Sequence, residues 1–274
     1  MWGVWKRFVV AAILLAASLT GCTSEDIDED RREPADFISE ATKSGESSVD
    51  KKSFDAGEFD SIQLSAEAMD IYVTKSAGQA AYVELITTEA IRKRMTFESS
   101  IDARVLKLQV NEEIRATVFP DKEMAGKRKL LISLPDKSYG TVKIRNNFGN
   151  IVAENLQADA VEIELDAGDI RLNRISGQMR LASEAGDIIV EGVRLNRDLS
   201  ARTKAGDVYV HFAESPQDAK INLGTQLGSV TSDLEDVSYT QNSDNRKIGT
   251  IRKGGHTLDV STEVGNITID APAR

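Results

Sequence analysis

The sequence predicts an all-β chain built as a β-solenoid, a β-helix-like stack of short strands with about 19 residues per repeat, preceded by a disordered linker. Three observations carry this. From Phe54 onward apolar and polar residues alternate with β-branched enrichment, as in Ile62-Gln-Leu64 and Leu106-Lys-Leu108-Gln-Val110. In the second half a short step recurs: a small or apolar residue, then Gly, then Asp, Asn or Ser, then Ile or Val. No long amphipathic helical pattern is present after the first twenty-odd residues.

At the N terminus, Lys6 and Arg7 precede a wholly apolar run, Phe8 to Ala17. That run is too short to span a bilayer core, which takes about 20 residues, and it suits the h-region of a signal peptide. Leu19-Thr20-Gly21-Cys22 follows, with Cys22 the only cysteine of the chain. The quartet resembles the lipobox of bacterial lipoproteins. The resemblance implies a signal peptide over 1–21, cleavage before Cys22 and diacylglyceryl attachment to its thiol. An ordinary secretory signal or an uncleaved anchor is the alternative. Two acyl chains hold a protein durably where one does not, since each buried methylene contributes about 0.8 kcal/mol. The expected location is therefore extracytoplasmic, on the plasma membrane or the outer membrane.

Cleavage also removes both tryptophans, Trp2 and Trp5, and leaves no cysteine for an internal disulfide, so packing and hydrogen bonding must supply stability. The formal charge is −10 before Lys6 and Arg7 are lost. Residues 23–50 hold three basic and ten acidic residues, 51–148 sixteen and fourteen, and 149–274 thirteen and twenty. An acidic surface of this kind argues against nucleic acid and against adsorption to anionic lipid, and permits attraction of cationic peptides or divalent ions. Residues 22–53 form the lipidated end and an acidic linker, rich in Glu, Asp and Ser, that cannot bury enough surface to offset chain entropy. A short helix over 35–42 fits there.

Residues 54–148 read as the strand-rich first part of one β domain. Its strands include Ile71-Tyr-Val73, Val83-Glu-Leu85 and Leu130-Leu-Ile132-Ser-Leu134, the last ended by Pro135. Ala90–Arg94 and the basic stretch Asp121–Lys129 read as polar loops. Residues 149–274 form the repeat part. Its steps are Phe148-Gly149-Asn150-Ile151, Ala167-Gly168-Asp169-Ile170, Ala185-Gly186-Asp187-Ile188, Ala205-Gly206-Asp207-Val208, Leu227-Gly228-Ser229-Val230 and Val264-Gly265-Asn266-Ile267. The glycines are spaced by 19, 18, 20, 22 and then 37 residues, so the last unit is double-length or interrupted. Met69-Asp70-Ile71 looks like the same step with methionine in the glycine slot.

Each step reads as a turn. Glycine takes positive φ without penalty, Asp and Asn hydrogen-bond nearby backbone, and the Ile or Val re-enters the sheet facing inward. One unit cannot cover its own apolar edge, so stacked units build the core. An antiparallel meander with a hairpin at each glycine also fits. Recurrence of the full unit, and not merely of its turn, favours the solenoid.

The Gly-Asp-Ile/Val steps, together with Leu130-Leu-Ile-Ser-Leu-Pro135, Val142-Lys-Ile144 and Gly149-Asn-Ile151, make the body from Phe54 onward similar to the bacterial putative-adhesin family. These are cell-envelope proteins with a β-strand-repeat domain of unknown function. The family brings no catalytic residues with it; the tether, the repeat and the missing catalytic sets point to a non-enzymatic surface for binding or assembly.

Chemistry-bearing patterns are sparse. Asp169, Asp187 and Asp207 could offer stacked carboxylates to Ca²⁺, which takes six to eight oxygens. The glycine-rich calcium-binding nonapeptide is absent, however, and Asn150, Ser229 and Asn266 stand in the same slot. The reading is therefore structural turns at Gly149, Gly168, Asp169, Gly186, Asp187, Gly206, Asp207, Gly228 and Gly265, with no metal and no cofactor. His211 and His256 do not form a metal-spaced pair, and no nucleophile elbow or phosphate loop is present. Phe59, Phe97 and Phe119 read as core, and Arg92-Lys93-Arg94 as a solvated loop. The expected partners are the membrane, through Cys22, and an envelope protein, a cell-wall polymer or a cationic peptide. The alternatives are an envelope-stress or structural component acting by self-association, and a polysaccharide-active β-helix enzyme whose site leaves no linear signature.

Overall fold

The computed structural model describes residues 48–112 and 127–272. The signal segment 1–21, Cys22, the linker as far as residue 47, the expected helical stretch 35–42 and Phe119 lie outside the described residues.

Strands dominate. In chain order they are β1 (Ser48–Asp55), β2 (Ser61–Ala68), β3 (Asp70–Lys75), β4 (Ala80–Thr87), β5 (Met95–Asp102), β6 (Val105–Glu112) and β7 (Arg128–Leu134). The repeat follows as β8 (Ser138–Phe148), β9 (Ile151–Glu154), β10 (Gln157–Ala167), β11 (Ile170–Asn173), β12 (Ser176–Ala185), β13 (Ile188–Val193), β14 (Leu199–Ala205) and β15 (Val208–Phe212). The last are β16 (Ala219–Leu227), β17 (Val230–Ser232), β18 (Val237–Ser243), β19 (Arg246–Ile251), β20 (His256–Val264) and β21 (Ile267–Asp270). The one helix among the described residues, α1 (Glu89–Arg92), is a single turn capped by Thr88, whose Oγ1 accepts from the Ile91 N–H at 3.4 Å.

Two sheets result. The first runs β1-β4-β7-β3-β9-β11-β13-β15-β21-β17 and the second β18-β19-β16-β20-β14-β12-β10-β8-β2-β6-β5. From β8 onward each coil of the stack gives one strand to each sheet, with a glycine turn between them. Pairing along the stack is parallel, as in β8–β10, β10–β12 and β12–β14 in the second sheet and β9–β11 and β11–β13 in the first. This decides for the solenoid over the antiparallel meander, because a hairpin at each glycine would pair successive strands head to tail.

The register aligns like residues between coils. Ile144, Ile163, Leu181 and Ala201 stand opposite one another in turn, as do Ile151, Ile170, Ile188 and Val208 across the gap. All eight are buried, and a fully buried side chain of the Ile or Leu class contributes about 1.5–3 kcal/mol relative to exposure. The alternation read from the sequence therefore places one continuous core between the sheets.

The order of coils departs from the order of the chain at both ends. β20 and β21 sit between β14–β15 and β16–β17, parallel to both neighbours. The 37-residue glycine gap is thus one ordinary coil plus the antiparallel excursion β18–β19, which folds onto β16. At the other end β2–β3 sits between β6–β7 and β8–β9. Antiparallel strands close both ends: β4 and β1 beyond β7, β5 beyond β6, and β19 and β18 beyond β16. Edge β18 is polar and edge β17 has three residues, both of which discourage pairing with another chain.

Three boundaries differ from the sequence reading. β1 begins at Ser48, so the body reaches back into the stretch assigned to the linker. Its charged residues are those of an edge strand, and Lys51 pairs with Glu84 of β4 at 2.9 Å. Arg128 and Lys129 belong to β7 and not to a basic loop. Arg128 forks the carboxylate of Glu112 at 2.7 and 3.0 Å, and the Glu112 side chain is only 2% exposed. Arg92 lies in α1, where it pairs with Asp50 at 2.7 Å, and Arg94 reaches Glu112 at 3.1 Å, so the basic trio is not a free loop.

Candidate functional site

The glycine corner is the first feature the repeat builds. Gly186 has φ +134 and Gly206 φ +149. A β-carbon on Gly186 would lie inside 3.0 Å of the Gly168 carbonyl oxygen, and one on Gly206 would meet the Gly186 carbonyl in the same way. Gly149, Gly168, Gly228 and Gly265 continue the series, each facing the carbonyl of the coil before it in space. Met69 occupies the first rung. Its side chain is buried, and its carbonyl faces Gly149.

The neighbouring residue forms a second ladder. The N–H of Asp187 donates to Asp169 Oδ1 at 3.0 Å, and the N–H of Asp207 to Asp187 Oδ1 at 2.7 Å. Asp70, Asn150 and Asn266 play the same part, with Asn150 N–H to Asp70 at 2.9 Å and Asn266 N–H to Asp207 at 2.6 Å. Asn266 Oδ1 in turn accepts from the N–H of Ser229 at 3.0 Å. The side-chain oxygens thus bond between coils and not within their own turn, a register that no local turn rule reveals. One carboxylate oxygen of each Asp is committed to backbone. Burial pushes the Asp187 carboxyl above the usual aspartate range, and the flanking Asp169 and Asp207 add to the shift against the opposing Asp207 N–H and Arg171. Burial likewise raises Asp70.

A third ladder lies inside the core, and the sequence reading missed it. Thr203 Oγ1 donates to Gly186 O at 3.0 Å, Thr262 Oγ1 to Gly206 O at 2.9 Å and Thr225 Oγ1 to Gly265 O at 2.9 Å. Asn146 Nδ2 serves Met69 O at 2.8 Å. Each donor stands three residues before its own glycine, so a Thr/Asn-x-x-Gly pattern was the available signal.

The outward face of the second sheet is the second candidate. Across β10, β12, β14 and β20 lies an open groove of about 690 Å³. Its floor is small, Ala182 and Ser200, because longer neighbours stand on either side in register. Glu162 takes Lys143 at 3.2 Å and Arg180 at 3.5 Å, and Glu164 takes Arg145 at 3.3 Å. Across the groove Arg202 pairs with Asp259, which also accepts from Asn222 Nδ2 at 2.6 Å, and Arg246 donates to Asn222 Oδ1 at 3.0 Å. Such exposed pairs contribute at most about 1 kcal/mol each. Their effect is to present fixed charges of both signs.

On the first sheet, Tyr209 donates to Asp270 Oδ2 at 2.8 Å, and His211 Nδ1 bonds the other oxygen of that carboxylate. His256 Nδ1 lies 3.7 Å from Asp198. Neither histidine faces a hydroxyl or thiol nucleophile in these contacts. Among the described residues no group of three or more His, Cys, Asp or Glu side chains is placed to hold a metal ion.

Residues 139–270 match the family described as Toastrack DUF4097. The matched segment runs from within β8 to the end of β21. The solenoid continues beyond it, since β2–β3 and β6–β7 add coils on the N-terminal side. Two solved structures are similar to this chain to different degrees. A putative cell adhesion protein from Clostridium sporogenes is 13% identical over 82% of this chain and 100% of its own, with a TM-score of 0.52. A putative adhesin from Bacteroides fragilis is 16% identical over 81% of this chain and 97% of its own, with a TM-score of 0.44. The first of these likenesses concerns the fold alone. No curated protein matches the chain. The six corner glycines and the charged groove fall within the matched segment, the ladders extend beyond it to Met69 and Asp70, and Cys22 lies outside the described residues.

Proposed function

We propose that the protein is a lipid-anchored, non-enzymatic component of the bacterial cell envelope whose Toastrack solenoid presents an elongated surface for binding or assembly. The observation that carries this reading is the open groove on the second sheet, floored by Ala182 and Ser200 and walled by fixed charges of both signs. A shallow wall of that kind suits recognition of a polar partner better than the enclosed, water-excluding site that catalysis favours. The lipobox-like quartet ending at Cys22 supplies the anchor, and the acidic linker sets the body off the membrane.

Replacing Cys22 with Ala tests the anchor. The protein should move from the detergent phase to the aqueous phase, or stay unprocessed. Unaltered partitioning of processed protein overturns the anchor. Incubation of the full chain with envelope polysaccharides tests the rest, because hydrolysis or elimination products would replace the binding reading with an enzymatic one.

A further inference from the structure

The residue that precedes each corner glycine points outward, and the parallel register lines these residues up. Phe148, Ala167, Ala185, Ala205, Val264 and Leu227 stand side by side in that spatial order. Phe148 is 55% exposed, Val264 52% and Leu227 67%, and three of the four large hydrophobic side chains exposed among the described residues therefore fall on this one row. The fourth, Val49, lies on edge strand β1. Five inter-strand steps of about 4.8 Å make a stripe about 24 Å long. Its alanine middle is a shallow trough between a bulky residue at one end and two at the other. Exposed large apolar side chains scattered singly mean little, but an aligned row of them marks a contact surface.

Charge says what kind of partner fits. On the strand side the outward residues next to the stripe include Asp166, Glu184 and Glu263, with one lysine, Lys204, which is paired to Glu184. On the turn side stand Asp169, Asp187 and Asp207, with Arg171 beside Asp169 at 3.2 Å. The stripe is apolar with acidic margins. Two copies of this chain facing each other there would oppose like charges, and an anionic lipid surface would be repelled. We infer that the glycine corner of the Toastrack domain docks a basic amphipathic helix of a partner protein, its apolar face on the stripe and its Lys or Arg side chains on the acidic margins. A helix of about 16 residues spans 24 Å. The inference rests on the binding-platform reading and adds to the groove a second site with a partner class of its own.

The test uses the full chain in phosphatidylcholine nanodiscs, held there by its lipid or by the apolar run 8–17. The probe is a fluorescent 18-residue helical peptide of Leu and Lys with one leucine face, and its anisotropy is read against empty nanodiscs. Binding above that background is expected, weakening with salt as exposed charge pairs do. The pair Phe148→Ser and Leu227→Ser should lower affinity by at least about tenfold. Both side chains are exposed, so an unchanged thermal unfolding curve certifies the fold. The Lys→Glu peptide should not bind. Several outcomes overturn the proposal: no binding beyond empty nanodiscs, equal affinity in the serine variant, equal binding of the Glu peptide, or a dimer of the protein that Leu227→Ser dissociates. Peptide that binds the protein with the stripe removed overturns the corner site and leaves the platform reading standing. The platform reading fails separately, through the Cys22 and polysaccharide experiments.

Discussion

The hydroxyl of Thr262 donates to the carbonyl oxygen of Gly206 at 2.9 Å, joining β20 to the turn after β14 across the whole β16–β19 excursion. Thr262 is buried, and in its absence that carbonyl would lose its side-chain donor inside the core. Thr262→Val should therefore destabilise by about 1–2 kcal/mol, while Thr262→Ser should retain most of the stability. Urea unfolding of the three proteins checks this, and equal midpoints for Val and wild type would remove the interior ladder as a stabilising device.

Gly186 and Gly78 offer a paired comparison. A β-carbon on Gly186 meets backbone, and φ is positive, whereas one on Gly78 meets nothing within 4 Å. Gly186→Ala should cost more than about 1 kcal/mol, and Gly78→Ala should lie within about 1 kcal/mol of wild type. Similar thermal midpoints for the two variants would contradict the close approach of successive coils at the corner.

The Asp187 carboxyl is raised in the folded protein by burial and by its aspartate neighbours. The folded state then binds its proton more tightly than the unfolded chain does. Stability contributed through this group is lost as pH rises from the unfolded aspartate value, about 3.9, through the folded one. Asparagine keeps the Oδ1 acceptor without the charge, as Asn150 and Asn266 already do. Asp187→Asn should show the higher urea midpoint at pH 7, with the gap closing as pH falls. A lower midpoint at pH 7 would mean that the carboxylate charge is favourable there.

Tyr139 carries a large shift. Burial, with Asp136 nearby, pushes its phenol up to about 12, and its hydroxyl donates to Pro135 O at 3.0 Å. The folded value lies above the ordinary value of about 10, so this group's contribution is full below about 10 and lost as pH rises toward 12. Ultraviolet titration should show a late tyrosinate step that Tyr139→Phe removes. Tyr139→Phe should also cost about 1 kcal/mol at neutral pH, since the buried carbonyl of Pro135 loses a donor.

The solenoid was legible because two signals agree. Residues such as Ile163 and Leu181 alternate with polar neighbours, and Gly168 and Gly186 mark where each coil turns. The placement of β20 was not legible. Ile221-Asn-Leu223 of β16 and Leu258-Asp-Val260 of β20 have the same pattern, so nothing local says which follows β14 in space. Lys129 and Arg128 read as loop because charge in a strand is decided by a distant partner, here Glu112 for Arg128. The interior threonines were written in the chain at a fixed offset, but Thr203 and Thr262 also fit a plain alternation, and only the carbonyl above each reveals its task. The charged groove had no signature, because Glu162 and Arg180 meet only through the parallel register.

The inward placement of β20 and β21 bears on the order in which the molecule can be assembled. A simple solenoid can add each coil to a finished edge as the chain is delivered. Here the coil next to β14 and β15 is made by β20 and β21, the strands that come last in the described chain, and β16 and β17 pair in parallel only with these. The stack is therefore closed by a keystone. Until the stretch from His256 to Asp270 is in place, neither β14–β15 nor β16–β17 has its native partner on that side, and the core between them is incomplete.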